Sequence, residues 1–186
     1  MTTVNEPSTS EIIHQHREAS GRTALTRKTW SVPCRWLATQ GHVLYKKSLR
    51  VLDYGCGYGK DVEELRGLGA DAMGFDPVHC PEGGKHAMGT FDVVFCTHVL
   101  DTLPTAAERM FVVQGILTAL RPGGVAYVTV RRDVPLAGWT NAGIYQDGSV
   151  NVAMEIGNVC GWNCLTCPSI HKCRSFEIYM FTKADS

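Results

Sequence analysis

From residue 49 onward, apolar runs of strand length alternate with stretches of helical period. L-R-V-L-D-Y at 49–54 reads as a buried strand, and 60–67 reads as a helix with Val62, Leu65 and Leu68 on its inward face. Residues 70–75 give the next strand, which Pro77 stops. F-D-V-V-F-C at 91–96 is a third strand, and 105–120 is a helix with Met110, Val113, Leu117 and Leu120 at helical spacing. R-P-G-G at 121–124 turns the chain into another strand, V-A-Y-V-T-V at 125–130. Late in the chain, 176–181 forms a strand, with 150–156 as its weaker strand partner. Strands that alternate with helices pack as a parallel sheet covered on both faces, and two late strands add an antiparallel edge.

Only fourteen residues separate Asp76 from Phe91, too few for another full strand and helix, so the sheet is expected to be abbreviated there. The first ten residues are rich in Thr, Ser, Asn and Pro and read as a loose tail. Helical segments follow across 11–40, with Pro33 in an early turn and Gly41 as terminator. Leu37, Leu44 and Leu49 are placed to pack this N-terminal arm on the core. The expected organisation is therefore a basic arm at 1–48 and an α/β domain at 49–186, with a Cys-rich loop at 157–175.

The 186 residues, 44% apolar and 19% charged, suit one domain with a substantial core. No run is long and apolar enough to span a membrane, and the first twenty residues lack the apolar centre of a secretion signal, so a cytoplasmic protein without membrane partners is expected. Net charge is zero, yet residues 1–50 hold eight Lys and Arg against three Glu, while the remainder holds ten basic against fifteen acidic residues. Two readings of the +5 arm stand open: a positive segment beside a pocket for an anion or nucleic acid, or ordinary solvated surface.

The strongest chemical signal is V-L-D-Y-G-C-G-Y-G at 51–59. Glycines allow a tight turn after a strand, and the helix that follows presents unpaired amides there. A dinucleotide fingerprint would want its third glycine at position 60, which is Lys60. The spacing D-x-G-x-G-x-G instead resembles the first motif of class I S-adenosylmethionine-dependent methyltransferases. G-F-D-P at 74–77, F-D-V-V-F-C-T-H-V-L at 91–100 and R-P-G-G before the next strand extend that resemblance over 49–130. R-T-A-L-T-R in the arm and V-R-R-D at 130–133 add a closer similarity to small bacterial and phage members of unassigned substrate.

The resemblance implies a doubly wound, mostly parallel Rossmann-like sheet in a three-layer sandwich, with S-adenosylmethionine as cofactor. It implies that Asp53 orders the loop or the cofactor's amino group, that Gly55, Cys56, Gly57 and Gly59 form the cradle, and that Tyr58 shapes the methionine pocket. Asp76, followed by Pro77, matches the acid for the ribose; a turn role before Pro77 is the alternative. Cys96 and Thr97 would lie near the sulfonium, and 85–88 (Lys85, His86, Ala87, Met88) is the region for adenine contacts. No D/N-P-P-Y-like tetrapeptide follows the 91–96 strand, which speaks against the usual exocyclic-amine methylation of DNA bases.

Methyl transfer needs an in-line nucleophile, a dry site and a proton acceptor, and no metal. His98 suits the acceptor role because an imidazole titrates near neutrality, with a packing histidine as the alternative. Asp101 would orient His98 or cap the next helix, and Asp133 is a second base. Of Arg131 and Arg132, alternation aims one inward to clamp an anion, and Arg132 is the expected one, with a surface salt bridge as the alternative. Arg22, Arg27 and Lys28 are candidates to cover substrate or cofactor, with a solvated or capping role as the alternative, and Trp139 and Trp162 to stack a base or aromatic substrate, with a core or hinge anchor as the alternative. Cys160, Cys164, Cys167 and Cys173, with His171, supply enough ligands for a structural zinc; free thiols and disulfides are the other readings, and a radical iron-sulfur role fits poorly behind a complete methyltransferase motif. Methyl transfer to an oxygen or nitrogen of a small molecule or nucleotide follows, with an RNA or DNA methyltransferase and a noncatalytic cofactor-binding subunit as alternatives.

Overall fold

From Val51 to Tyr54 every residue of the strand β1 (Arg50–Tyr54) is buried, so its backbone groups must be satisfied by strands on both sides. They are: β1 pairs in parallel with β2 (Asp71–Phe75) and with β3 (Phe91–Thr97), and β3 pairs in parallel with β4 (Leu120–Arg131). This is a computed structural model, and it describes residues 8, 10, 11, 14, 21–42, 49–83, 88–134, 136–160 and 167–184. Its main sheet runs β2-β1-β3-β4-β8-β7, where β8 (Phe176–Thr182) and β7 (Ser169–Lys172) are antiparallel. A hairpin of two-residue strands, β5 (Gly138–Trp139) and β6 (Tyr145–Gln146), stands apart.

Alternation along the strands builds two cores. Leu52, Val94, Ala126 and Val128 face the helices α3 (Ala106–Ala119) and α4 (Val152–Cys160), with Val112, Ile116 and Ile156 packed among them. Val51, Val93, Phe95 and Tyr127 face α1 (Val32–Thr39) and α2 (Lys60–Gly67), which contribute Cys34, Leu37, Val62 and Leu65. The result is the three-layer sandwich expected. Among the described residues between β2 and β3 there is no further strand, only the single bridge Asp76–Cys80, so the sheet is abbreviated there.

Local chemistry sets the helix starts. Ser31 caps α1 by accepting from the Cys34 amide at 3.2 Å, with Pro33 in the first turn. Thr105 and Glu108 form a reciprocal capping box on α3. Asp101 therefore does not cap α3; it lies in a preceding 3-10 turn, Leu100–Thr102. Arg109 of α3 meets Glu155 of α4 at 2.6 Å, both largely buried, which fixes the two helices together.

Three expectations change. Residues 150–156 do not form a strand: Asn151 accepts from the Met154 amide and α4 begins, so β8 takes β7 as its partner. R-P-G-G does not end the helix as a free turn; it lies inside β4 as an irregularity, with Gly123 at φ 69°. Leu68 is half exposed rather than inward. Leu44 lies outside the described residues, as do Lys85, His86, Ala87, Trp162 and Cys164. Among the described residues no helix is long and apolar enough to cross a membrane.

Candidate active site

The chain leaves β1 toward β2 on one side and enters β3 on the other, and at such a reversal a crevice opens at the carboxyl ends of the strands. A cleft of about 520 Å³ lies there. Tyr54 ends β1 and Gly55 to Gly57 follow it, Asp76 and Pro77 follow β2, and Thr97 to Val99 and Arg131 close the other side. The arm covers it with Thr23, Ala24, Leu25 and Arg27.

Glycine is required at two points of the loop. Gly55 has φ 87°, and a Cβ there would lie 2.3 Å from Val99 Cγ2; its amide donates to Phe75 O at 2.7 Å. Gly57 has φ 53°, lies against Ala24 of the arm, and donates its amide to Asp76 Oδ2 at 3.1 Å. The other oxygen of Asp76 accepts from the Val78 and His79 amides, each at 2.9 Å. Asp76 is thus both a wall of the cleft and the clasp between the glycine loop and the turn after β2.

The arm is held from below by a residue that pattern reading overlooked. Asp61, buried in the first turn of α2, accepts from the Ser31 amide at 2.5 Å and pairs with Arg27 at 3.4 Å. Arg27 is therefore positioned over the cleft by a buried carboxylate, whereas Lys28 is exposed and does not line the cleft. Asp53 is buried and does not line the cleft; burial, then the charge of Asp61, push its carboxyl well above the ordinary range.

The far half of the cleft holds unspent polar groups. His98 sits at φ 57°, an uncommon conformation for a non-glycine residue, with its amide bonded to Thr129 O at 2.9 Å. Its Nδ1 is buried and has no hydrogen-bond partner among the described residues; burial, then Arg131 and Arg27, lower its pKa to about 4, so the ring is neutral at pH 7. Asp101 is fully buried, accepts from the Arg131 amide at 3.4 Å through Oδ2, and leaves Oδ1 without a partner among the described residues. Burial raises its pKa to about 6. Arg131 pairs with Asp133 at 2.9 Å, and that hydrogen bond holds the Asp133 carboxyl below the usual range.

Several expected residues lie elsewhere. Arg132 points away from the cleft, into a buried network with Glu177 at 2.9 Å, Gly148 O at 2.7 Å, Val150 O at 3.2 Å and the Tyr179 hydroxyl at 3.1 Å; Arg131 is the inward one. Alternation across the strand end was the right rule with the wrong phase. Cys96 is buried in the core beneath α3, and Tyr58 is 60% exposed with its ring on His79. Gly59 precedes α2 in the left-handed conformation, outside the cleft lining. Arg22 and Trp139 line a smaller cavity that adjoins the cleft, and Met88 is exposed.

Among the described residues no group of three or more His, Cys, Asp or Glu is placed to hold a metal. Cys167 packs against the core beneath α3 and α4, and Cys173 against the core on the opposite face, with its thiol donating to Phe176 O. Cys160 closes α4.

A family model described as a methyltransferase domain matches residues 26–157. The chain belongs to that methyltransferase family. The matched span runs from residue 26 in the arm through β1–β4 to α4, and includes Gly55, Gly57 and Asp76 of the cleft. Ubiquinone biosynthesis O-methyltransferase of Burkholderia multivorans is 30% identical over 123 residues, 53% of this chain and 50% of that protein. This methyltransferase chain spans about half the length of the curated relatives it matches. Among solved structures, Burkholderia thailandensis 1,6-didemethyltoxoflavin-N1-methyltransferase, with 1,6-didemethyltoxoflavin and S-adenosylhomocysteine bound, superposes with a TM-score of 0.61 at 16% identity, covering 98% of this chain and 94% of that one. An S-adenosylmethionine dependent methyltransferase from Mesorhizobium loti gives 0.54 at 12% identity, covering 81% and 98%. At such identities the likeness is one of fold, the class I Rossmann-like methyltransferase fold.

Proposed function

We propose that the cleft transfers a methyl group from S-adenosylmethionine to an oxygen or nitrogen of a small molecule. One observation carries the reading: a single cleft has a glycine-walled half, where Gly55 and Gly57 keep side chains out, and a facing half with a buried carboxyl whose oxygen is unspent. The families of similar proteins point the same way, with an O-methyltransferase and an N1-methyltransferase among them.

The fit is physical. At Gly55 and Gly57 the missing Cβ atoms leave backbone open to a close neighbour, and Asp76 presents a carboxylate at the end of β2, where hydroxyl donors of a ribose would be accepted. When bound, S-adenosylmethionine supplies a methyl on a sulfonium, which passes to the attacking oxygen or nitrogen as the carbon–sulfur bond breaks and S-adenosylhomocysteine leaves. The chain's own part is positioning and proton acceptance. Arg27 and the arm cover the cleft and exclude water. Asp101, with a pKa of about 6, is ionised at pH 7 and takes the O–H or N–H proton of the acceptor at Oδ1. His98, neutral and unprotonated, offers a second acceptor for a hydrogen bond, while Arg131 and Asp133 neutralise each other at the rim.

The test is transfer of radiolabelled methyl from S-adenosylmethionine into a panel of phenols, hydroxylated heterocycles and amines. The native protein labels at least one class, and Asp101→Asn lowers kcat by about 10²- to 10⁴-fold while leaving cofactor affinity in place. Equal turnover by Asp101→Asn would remove that residue from proton transfer, and labelling of none of the three classes would count against small-molecule methyl transfer.

A further inference from the structure

A second cavity of about 220 Å³ adjoins the cleft, and Thr23, Thr102 and Ile144 line both, so the two spaces meet along a shared wall. Its outer wall is the β5–β6 hairpin. Trp139 and Tyr145 pair across that hairpin with ring centroids 5.5 Å apart at 67°. Trp139 remains 63% exposed. An indole left open to solvent on a two-residue strand, beside a concave surface, contributes little to the core and much to an apolar ligand.

The hairpin is also tied to the floor of the cleft. The Asp147 amide, just after β6, donates to Asp101 O at 2.8 Å, so the aromatic wall and the unspent carboxyl belong to one connected unit. The cavity has a polar bias as well. Glu108 lines it but spends its carboxylate on Thr105, to whose amide and hydroxyl it is bound, and is 1% exposed. Arg22, from the arm, lines the same cavity and makes no ion pair among the described residues. The cavity thus combines an aromatic wall with the Arg22 guanidinium.

We infer that this outer cavity seats the methyl acceptor, and that the acceptor is a planar aromatic or heteroaromatic molecule bearing an anionic group. Its ring lies on Trp139 and Tyr145, its anion faces Arg22, and its O–H or N–H enters the cleft past Thr102 toward Asp101. The inference rests on the methyltransferase reading of the neighbouring cleft and adds the chemical class of its substrate.

The full chain saturated with S-adenosylhomocysteine is titrated calorimetrically with three probes: 6-hydroxy-2-naphthoate, 2-naphthol and 4-hydroxycyclohexanecarboxylate. The naphthoate binds more tightly than 2-naphthol, which lacks the anion, and than the cyclohexane acid, which lacks the ring, by at least fivefold in each comparison. Trp139→Ala weakens the naphthoate at least fivefold, and Arg22→Gln weakens the naphthoate but not 2-naphthol. Both side chains are exposed, so neither variant alters the melting temperature or the affinity for S-adenosylhomocysteine. No naphthoate binding by the loaded native protein, or equal binding by Trp139→Ala, would overturn the inference while leaving the methyltransferase reading intact. Failure of the native chain to bind S-adenosylhomocysteine at all would strike the reading beneath it.

Discussion

Replacing Arg132 by Met separates a catalytic arginine from a structural one. In the structure its guanidinium donates to Glu177, Gly148 O, Val150 O and the Tyr179 hydroxyl, with Arg132 17% and Glu177 7% exposed. Removing it orphans two carbonyls and leaves the Glu177 carboxylate with Lys172 at 3.6 Å as its remaining charged partner. Breaking a buried pair on one side costs about 3–5 kcal/mol. Because this pair retains some solvent access, the lower end applies, about 3 kcal/mol, which for a chain of this size lowers the melting temperature by roughly 6–12 °C. Thermal unfolding followed by circular dichroism measures it. The pH dependence has a definite sign. Glu177 is held below its ordinary pKa by hydrogen bonds from Ser169 and Arg132 that outweigh its burial, so this stability is present above the unfolded value and is lost as pH falls through the folded one. The gap between native and variant melting temperatures therefore narrows from pH 7 toward pH 3. An unchanged melting temperature at pH 7 together with lost cofactor or acceptor binding would refute the reasoning and return Arg132 to the cleft.

Gly55→Ala places a Cβ 2.3 Å from Val99 in a left-handed backbone, so cofactor affinity falls at least tenfold; Gly59→Ala, with open space around it, costs only about 1–2 kcal/mol of unfolding free energy. Asp101 has a raised folded pKa of about 6, so its contribution to stability is present below the unfolded value and lost as pH rises through 6. Asp101→Asn abolishes that loss, and its melting temperature gains on the native protein between pH 4 and pH 7. Methyl transfer by the native protein rises with pH through about 6 on a limb that belongs to Asp101, and a pH–rate profile for His98→Gln retains that limb because His98 titrates near 4. Asp61→Ala releases the arm from the Ser31 amide and Arg27, which raises the dissociation constant for the cofactor several-fold and increases proteolysis near residues 21–30.

The parallel core was legible because buried strands read as unbroken apolar runs and the glycine loop has few structural explanations. The strands expected at 49–54 and 91–96, and the helix with Val62 and Leu65 inward, lie within a residue of where the pattern placed them. Residues 150–156 misled because a short apolar run does not distinguish strand from helix; the discriminating signal was Asn151, which caps α4. The two-residue hairpin carrying Trp139 was too short to show any period. Along the cleft, the places of residues at strand ends were legible, including Gly55, Gly57, Asp76, Thr97 and His98, since a strand end fixes position along the sheet. Direction was harder: Arg131 and Arg132 exchange roles with a one-residue change of phase, and Cys96 falls on the core side of its strand. Asp61 escaped because its partners, Ser31 and Arg27, are thirty or more residues away; an acid just after a glycine loop was the visible hint.

The most direct measurement is calorimetric titration of the purified, cofactor-free chain with S-adenosylmethionine, beside Asp76→Ala and with NAD as control ligand. Micromolar binding of S-adenosylmethionine, weakened at least tenfold by Asp76→Ala and absent for NAD, is the expected result. A folded native chain that binds NAD, or binds neither ligand, would contradict the assignment of the cleft.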